Sequence, residues 1–284
     1  FIPQIKGAEV NGIFSVKYDT DAKALRDCAK DKQNAVIIGG GVLGLEAADA
    51  LQELGLNVTV LEVAERLMPR QLDESASTFI SSILSNRKVN VRTGVQVQEI
   101  TSSNNHVNGV KVGDEIIPTD VVVISAGVRP NVELATMGNI DINRGIVVNN
   151  HMQTSVKDIY ACGDVAEFEG ISTYLWAPAI EQGKVAGINA VGDVAEFSNK
   201  TEPLSLIAFD TEVFAIGTYP TENIEDYQIL LDSNNKTGHF KKLYFKDNHL
   251  VYGVLFKDIS KASVLLTGVR NGDDYATVVS KLYR

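Results

Sequence analysis

The chain has 284 residues, 44% of them hydrophobic and 22% charged, with a formal net charge of −10. That length leaves room for about two domains with cores of their own, and the composition is ordinary for a globular protein. The acidic balance argues against a general nucleic-acid binder or an anionic-membrane binder, and no apolar run reaches transmembrane length. Cys28 and Cys162 stand far apart with no CxxC spacing, which fits a reducing cytoplasm and neither a disulfide framework nor a local redox pair. His106, His151, His239 and His249 are too scattered for a zinc site, so no metal is expected. The chain opens FIPQIKG without an initiator Met, and is expected to be a fragment.

In chain order, Pro3 and Gly7 mark a turn, residues 13–16 predict a short strand, and 21–30 a helix. Together, residues 1–34 read as a connector. Residues 35–62 carry more. A short apolar run (35–38) predicts a buried parallel strand, followed at once by Gly39-x-Gly41-x-x-Gly44. Leu45, Ala48, Leu51 and Leu54 recur at helical spacing, Gly55 stops the helix, and 57–61 predicts a second strand ending at Glu62. Gly39 permits the tight strand-to-helix turn, Gly41 leaves room for a pyrophosphate, and Gly44 lets helix and strand pack closely. Val42 and Leu43 begin the helix, whose first N–H groups are offered to phosphates. Glu62 can accept hydrogen bonds from a ribose diol and would repel a 2′-phosphate, which favours NADH over NADPH. Glycines alone make ordinary turns. Strand, glycines, helix, strand and acid in this order make a dinucleotide site.

Pro69 then breaks the chain, and Asp73 reads as an N-cap with Glu74 in the first turn. Ala76, Phe79, Ile80, Ile83 and Leu84 form the apolar stripe of an amphipathic helix. Three β-type runs (89–100, 107–112 and 115–117) predict an inserted meander before a buried strand at 121–125. The third section begins near Ile146, with short strands at 147–148 and 159–160, Ala161-Cys162-Gly163-Asp164, and a helix at 177–191 rich in small residues. GDVAEF occurs at 163–168 and again at 192–197, and reads as a chance repeat. From Pro203 the texture is β, with strands at 213–216, 242–245 and 250–256, the last two a hairpin around Asp247-Asn248, then a helix at 260–269. The expected division is 1–33 as connector, 34–145 for dinucleotide binding, 146–200 for a second ligand domain and 201–284 as a small α+β domain.

The fingerprint, SAGVRPN and IYACGDVAE, in that order, resemble the two-dinucleotide flavoproteins of the pyridine nucleotide–disulfide oxidoreductase superfamily. RLMPRQLD and KKLYFKDNHLVYGVLF resemble most the NADH:rubredoxin oxidoreductases and the reductase portion of assimilatory nitrite reductases. The resemblance implies an α/β, Rossmann-like protein with two dinucleotide-binding domains and a small α+β C-terminal domain, using FAD and NADH. It makes 1–33 the tail end of the FAD domain and connector, 34–145 the NADH-binding domain, 146–200 the C-terminal part of the FAD-binding domain and 201–284 an interface domain. Position by position, Gly39, Gly41 and Gly44 match the NADH pyrophosphate loop, and Glu46 the acidic position towards the nicotinamide. Glu62 matches the ribose acid, and Gly127 a glycine whose backbone runs past NADH. Asp164 matches an aspartate that bonds the flavin ribityl chain, with Gly163 allowing close approach. Trp176 and Ala177 match the place where the flavin ring edge meets a helix N-terminus. No residue is assigned acid–base or nucleophilic work. The family's first GxGxxG, which holds the FAD adenosine end, has no counterpart here and is expected upstream of Phe1, where the redox cysteines of other branches also lie.

Taken by themselves, Glu46 reads also as a helix-surface carboxylate, Asp164 as a helix cap and Trp176 as core or domain interface. Cys162 reads as a small buried apolar residue, and Arg70 and Arg129 as partners of local carboxylates. Lys236, His239, Lys241, Lys242, Lys246 and His249 form a basic run in an acidic chain. It reads either as a solvated hairpin face or as a docking patch for a small acidic electron carrier such as rubredoxin. The expected activity is passage of a hydride from NADH to flavin and of electrons to that carrier. The alternatives are an NADH oxidase or peroxidase with an upstream cysteine, or a regulatory NADH-binding module.

Overall fold

Two runs of apolar residues become inner strands because both of their faces are covered. The computed structural model describes residues 2–234 and 237–284. It begins with β1 (Ile13–Phe14), α1 (Asp19–Ala29), β2 (Asn34–Ile38), α2 (Val42–Glu53), β3 (Asn57–Leu61), α3 (Glu74–Asn86) and β4 (Asn90–Arg92). β5 (Val97–Ser103), β6 (His106–Val112), β7 (Glu115–Pro118) and β8 (Val121–Ile124) follow. Strands pair in parallel in the order β1-β8-β2-β3-β4. All of β8 and nearly all of β2 are buried, as parallel strands with covered faces must be. β3 lies on one side of β2 and β8 on the other, so the strand order reverses about β2 and leaves a switch point at the carboxyl ends of β2 and β8. Ligands of open α/β sheets bind at such a switch point.

Two expectations for this region change. The run 89–100 is not one strand: β4 completes the parallel sheet, and β5 opens an antiparallel sheet β5-β6-β7. Gly94, at φ +67°, turns the chain between them, and its N–H donates to the Ala64 carbonyl at 2.8 Å. The first residues are more than a connector, since β1 is the edge strand beside β8 and Lys6 and Asn11 bridge to the meander.

The second compact unit, Val128–Lys200, holds α4 (Glu133–Met137), β9 (Ile146–Val148), β10 (Ala166–Phe168) and α5 (Trp176–Ala190). The strand expected at 159–160 is reduced to one bridge between Tyr160 and Gln153, and β9 pairs instead with β10, in parallel. Glu167 on β10 is buried, but the Gly145 and Arg144 N–H groups and the Asn143 amide all donate to its carboxylate. Those bonds, the one from Gly145 foremost, hold its pKa below the usual value. The two GDVAEF copies fold differently. The first forms a turn and β10, the second has no regular structure, and their phenylalanines Phe168 and Phe197 pack edge-on at 5.5 Å.

The other unit, Phe1–Gly127 with Thr201–Arg284, is completed by β11 (Leu204–Ala208), β12 (Thr211–Gly217), β13 (Tyr227–Asn234), β14 (His239–Lys246) and β15 (His249–Phe256). The helices α6 (Ala262–Asn271) and α7 (Tyr275–Leu282) end it. The sheet is antiparallel, in the order β11-β12-β15-β14-β13. Asp247 and Asn248 take φ of +48° and +67°, the two left-handed positions of a tight hairpin turn that matches strand twist. β11, β13 and α7 carry no strong sequence signal; β13 is an edge strand with Ile229 and Leu231 exposed. Phe79 of α3 packs on Phe240 and Phe256 of this sheet at 5.0 and 5.2 Å, so one apolar cluster runs from the helices of the parallel sheet into the C-terminal sheet.

Candidate functional site

The turn from β2 into α2 uses each glycine differently. Gly39 has φ +116°, and a Cβ on it would stand 2.2 Å from the Ser125 carbonyl oxygen. A Cβ on Gly44 would stand 2.0 Å from the Gly39 oxygen, so Gly44 is required by helix–strand packing. Gly41 differs: a Cβ there would meet nothing within 4 Å. It precedes Val42 and Leu43 as the N-cap of α2, with no side chain bonded across it. Open space over an uncapped helix start suits a pyrophosphate. Gly41→Ala is therefore expected to keep the melting temperature within about 1 °C while weakening NADH binding at least tenfold. Gly44→Ala should instead lower the melting temperature by several degrees; equal effects of the two on both readouts would contradict this division.

Glu62 follows β3 and is half-buried. Its Oε2 accepts from the Gly40 N–H at 2.6 Å and its Oε1 from the Ala64 N–H at 2.8 Å. Each carboxylate oxygen keeps acceptor capacity for ribose hydroxyls. Glu46 lies on an exposed side of α2, and partial burial of its carboxyl raises its pKa. Gly127 has φ +95°, with no atom within 4 Å of a built Cβ. The structure thus brings Gly39, Gly41, Gly44 and Glu62 around one turn. Gly40, held by Glu62, was missed in the sequence; as the middle of three consecutive glycines it could have been suspected.

In the unit Val128–Lys200, Gly163, at φ +75°, starts a short 3-10 turn that presents an exposed Asp164. Its N–H donates to Gln182 Oε1 at 2.8 Å. Gln182 is only 1% exposed, a polar residue on the buried face of α5 beside Pro178, Val185 and Ala186. Sequence reading missed it, although a glutamine within an apolar helical stripe is the signal that would have found it. Trp176 is the first residue of α5 and is 83% exposed, which excludes the core reading; Ala177 is exposed as well. The N-cap Leu175 makes no side-chain bond across this helix start. An exposed turn carrying a carboxylate, and a separate exposed, uncapped helix start, fit a polyol chain and an electron-rich ring edge. Cys162 is exposed rather than buried, because the extended residue before Gly163 faces outward.

Among the described residues, the basic run does not form one patch. Lys242 turns inward and donates to Asp73 Oδ2 at 2.5 Å and Ser75 Oγ at 2.8 Å. Lys241, on the opposite face of β14 as strand alternation requires, lies 3.8 Å from Asp232 and over the Tyr283 ring. His249 Nδ1 bonds the Gly272 carbonyl, Lys246 lies over Tyr227, and Lys236 lies outside the described residues. Arg70 is exposed. Among the described residues, no group of three or more His, Cys, Asp or Glu side chains could hold a metal ion, and no helix is long and apolar enough to cross a membrane.

Residues 1–203 match the pyridine nucleotide-disulphide oxidoreductase family, and the chain belongs to it. It is 33% identical over 276 residues to nitrite reductase [NAD(P)H] of Bacillus subtilis, covering 96% of this chain and 34% of that protein. It is 39% identical over 195 residues to the NADH-rubredoxin oxidoreductase of Clostridium acetobutylicum, covering 69% of this chain and 48% of that protein. The crystal structure of the NADH:rubredoxin oxidoreductase from Clostridium acetobutylicum superposes with a TM-score of 0.76 at 29% identity, covering 99% of this chain and 71% of that one. The chain therefore spans about a third to a half of the length of these curated relatives.

Proposed function

We propose that this member of the pyridine nucleotide-disulphide oxidoreductases is the NADH-binding and part of the flavin-binding machinery of an NADH-dependent reductase that delivers electrons to a small redox protein. The observation that carries this reading is the glycine turn at the sheet's switch point, with Glu62 bonded to the Gly40 N–H. In this reading residues 34–145 serve NADH, 146–200 serve flavin and 201–284 form the small C-terminal domain. Gly41 and the start of α2 at Val42 and Leu43 hold the pyrophosphate, Glu62 selects an unphosphorylated ribose, and Glu46 and Gly127 border the nicotinamide end. Asp164 accepts a hydrogen bond from the ribityl chain, while the α5 start at Trp176 and Ala177 favours negative charge on the ring edge. Bound FAD supplies the capacity to take a hydride and release electrons singly. The chain carries one GxGxxG loop, which this reading gives to NADH. Rubredoxin is the acceptor this reading favours, supported by the relatives' names and not by a continuous basic patch.

The test is an anaerobic NADH titration of the full-length protein and of its Asp164→Ala variant, followed by visible absorption. The wild type should carry a flavin band that bleaches with NADH and recovers on adding oxidised rubredoxin. The variant should purify with flavin content reduced several-fold. Bleaching without recovery on rubredoxin, but with recovery on oxygen, would move the assignment to an NADH oxidase. NADH binding with no bleaching would make it a binding module.

A further inference from the structure

The segment 63–73 joins β3 to α3 without regular structure, so its backbone groups need partners from elsewhere. Three tyrosines on or beside the C-terminal sheet bond to the segment, two at backbone carbonyls and one at a side chain. Tyr219, two residues past β12, donates its hydroxyl to the Pro69 carbonyl. Tyr252 on β15 donates to the Gln71 carbonyl at 2.9 Å, and Tyr244 on β14 to Asp73 Oδ2 at 2.6 Å. β12, β15 and β14 are neighbours in the sheet, so three hydroxyls in a row take alternate positions 69, 71 and 73. The rings stand 5.6 Å (Tyr219 to Tyr252) and 5.9 Å (Tyr252 to Tyr244) apart, edge-on or tilted. Arg66 adds a bond from Nη2 to the Tyr219 oxygen at 2.7 Å.

The same segment reaches the glycine turn at its other end. The Met68 N–H donates to the Gly40 carbonyl at 3.1 Å, and Leu67 Cδ2 lies 2.5 Å from where a Gly40 Cβ would stand. Leu67 and Met68 are both wholly buried. Gly40 is thus held from two sides, its N–H by Glu62 and its carbonyl by Met68. We infer that the tyrosine row Tyr219–Tyr252–Tyr244 is a positioning element for NADH, fixing Gly40 and Glu62 through the segment 66–73 without touching the nucleotide. A structural role alone would show in stability and leave binding and selectivity unmoved.

The inference rests on the NADH reading of the glycine turn, and calorimetry on the purified full-length protein separates the two. Tyr219→Phe with Tyr252→Phe keeps both rings and removes both hydroxyls from the backbone. NADH should then bind roughly tenfold more weakly, the scale of one to two net hydrogen bonds. The ratio of NADPH to NADH dissociation constants should fall severalfold, because Glu62 is less well placed. Tyr227→Phe, whose ring extends the row 6.3 Å beyond Tyr244 on the edge strand, should change neither. Should the double variant misfold, Tyr252→Phe alone carries the test, with a smaller shift in the same direction. Unchanged affinity and ratio beside a wild type that binds NADH would overturn the positioning role, even if the melting temperature fell. A wild type that binds no NADH would overturn the site reading, and this inference with it.

Discussion

Glu62→Ala is expected to weaken NADH binding about ten- to a hundredfold, the scale of one charge-assisted hydrogen bond at ~1.5–3 kcal/mol. Two consequences combine in that variant. The ribose hydroxyls lose their acceptor, and the Gly40 and Ala64 N–H groups lose the carboxylate that now bonds both. Glu62→Gln separates them. Its amide oxygen can still accept from Gly40, although its NH2 cannot accept from Ala64, so the turn keeps one of its two anchors while the charge that repels a 2′-phosphate is gone. NADH affinity should fall less in Glu62→Gln than in Glu62→Ala, and discrimination against NADPH should fall in both. Val63 is 69% exposed directly after the acid, so adding Val63→Arg to Glu62→Ala places a cation where a 2′-phosphate would sit. That double variant should prefer NADPH. Dissociation constants for both nucleotides, measured at fixed salt, check the series; equal NADH affinity in wild type and Glu62→Ala would remove Glu62 from the site.

Asp73→Ala should be the most damaging single change to the fold, at about 3–5 kcal/mol. The carboxylate caps α3 by accepting from the Ala76 N–H at 2.8 Å, and it also takes the bonds from Lys242 and Tyr244. Both it and Lys242 are nearly buried, so its removal leaves a cation without its counter-charge beside Phe240 and Tyr244. Asp73→Ala with Lys242→Met should recover part of the loss, since no unpaired charge then remains; thermal unfolding of the three proteins decides it. The same group gives a pH signature. Burial opposes its charge, but the bonds from Lys242, Tyr244 and Ala76 outweigh that and hold its pKa below the ordinary 3.8. A depressed carboxylate contributes stability that is complete above its unfolded value and lost as the pH falls through its folded one. The gap between wild type and Asp73→Asn should therefore be constant from neutral pH down to about pH 5 and close below the ordinary value. Burial, and then the bond and charge of Asp73, push the Tyr244 hydroxyl well above its ordinary pKa, so it stays a donor throughout.

The glycine turn was legible because its logic is local. Gly39, Gly41 and Gly44 lie within six consecutive residues, and the strand, the helix and Glu62 that frame them lie within thirty. The Asp73 cap and the Asp247-Asn248 turn were legible for the same reason: backbone conformation and bonds a few residues apart fix them. The α/β class and the family followed from such segments in order.

Other features depend on partners far along the chain. Residues 89–100 look like one strand, and only the sheets available on either side of Gly94 divide them into β4 and β5. Lys242 looks like one more cation in a basic run until β14 is laid against α3, which puts it on Asp73, 169 positions earlier. Tyr252 reaches Gln71 across 181 positions, and Gln182 reaches Gly163 only because α5 folds back over that turn. Propensity, turn chemistry and periodicity are written in neighbouring residues, so the sequence by itself determined the elements around the glycine turn, the α3 cap, the Asp247-Asn248 hairpin and the nucleotide fingerprint. Sheet order and the pairing of buried polar groups arise only when distant segments meet and each must satisfy the other, so the tertiary structure decided them.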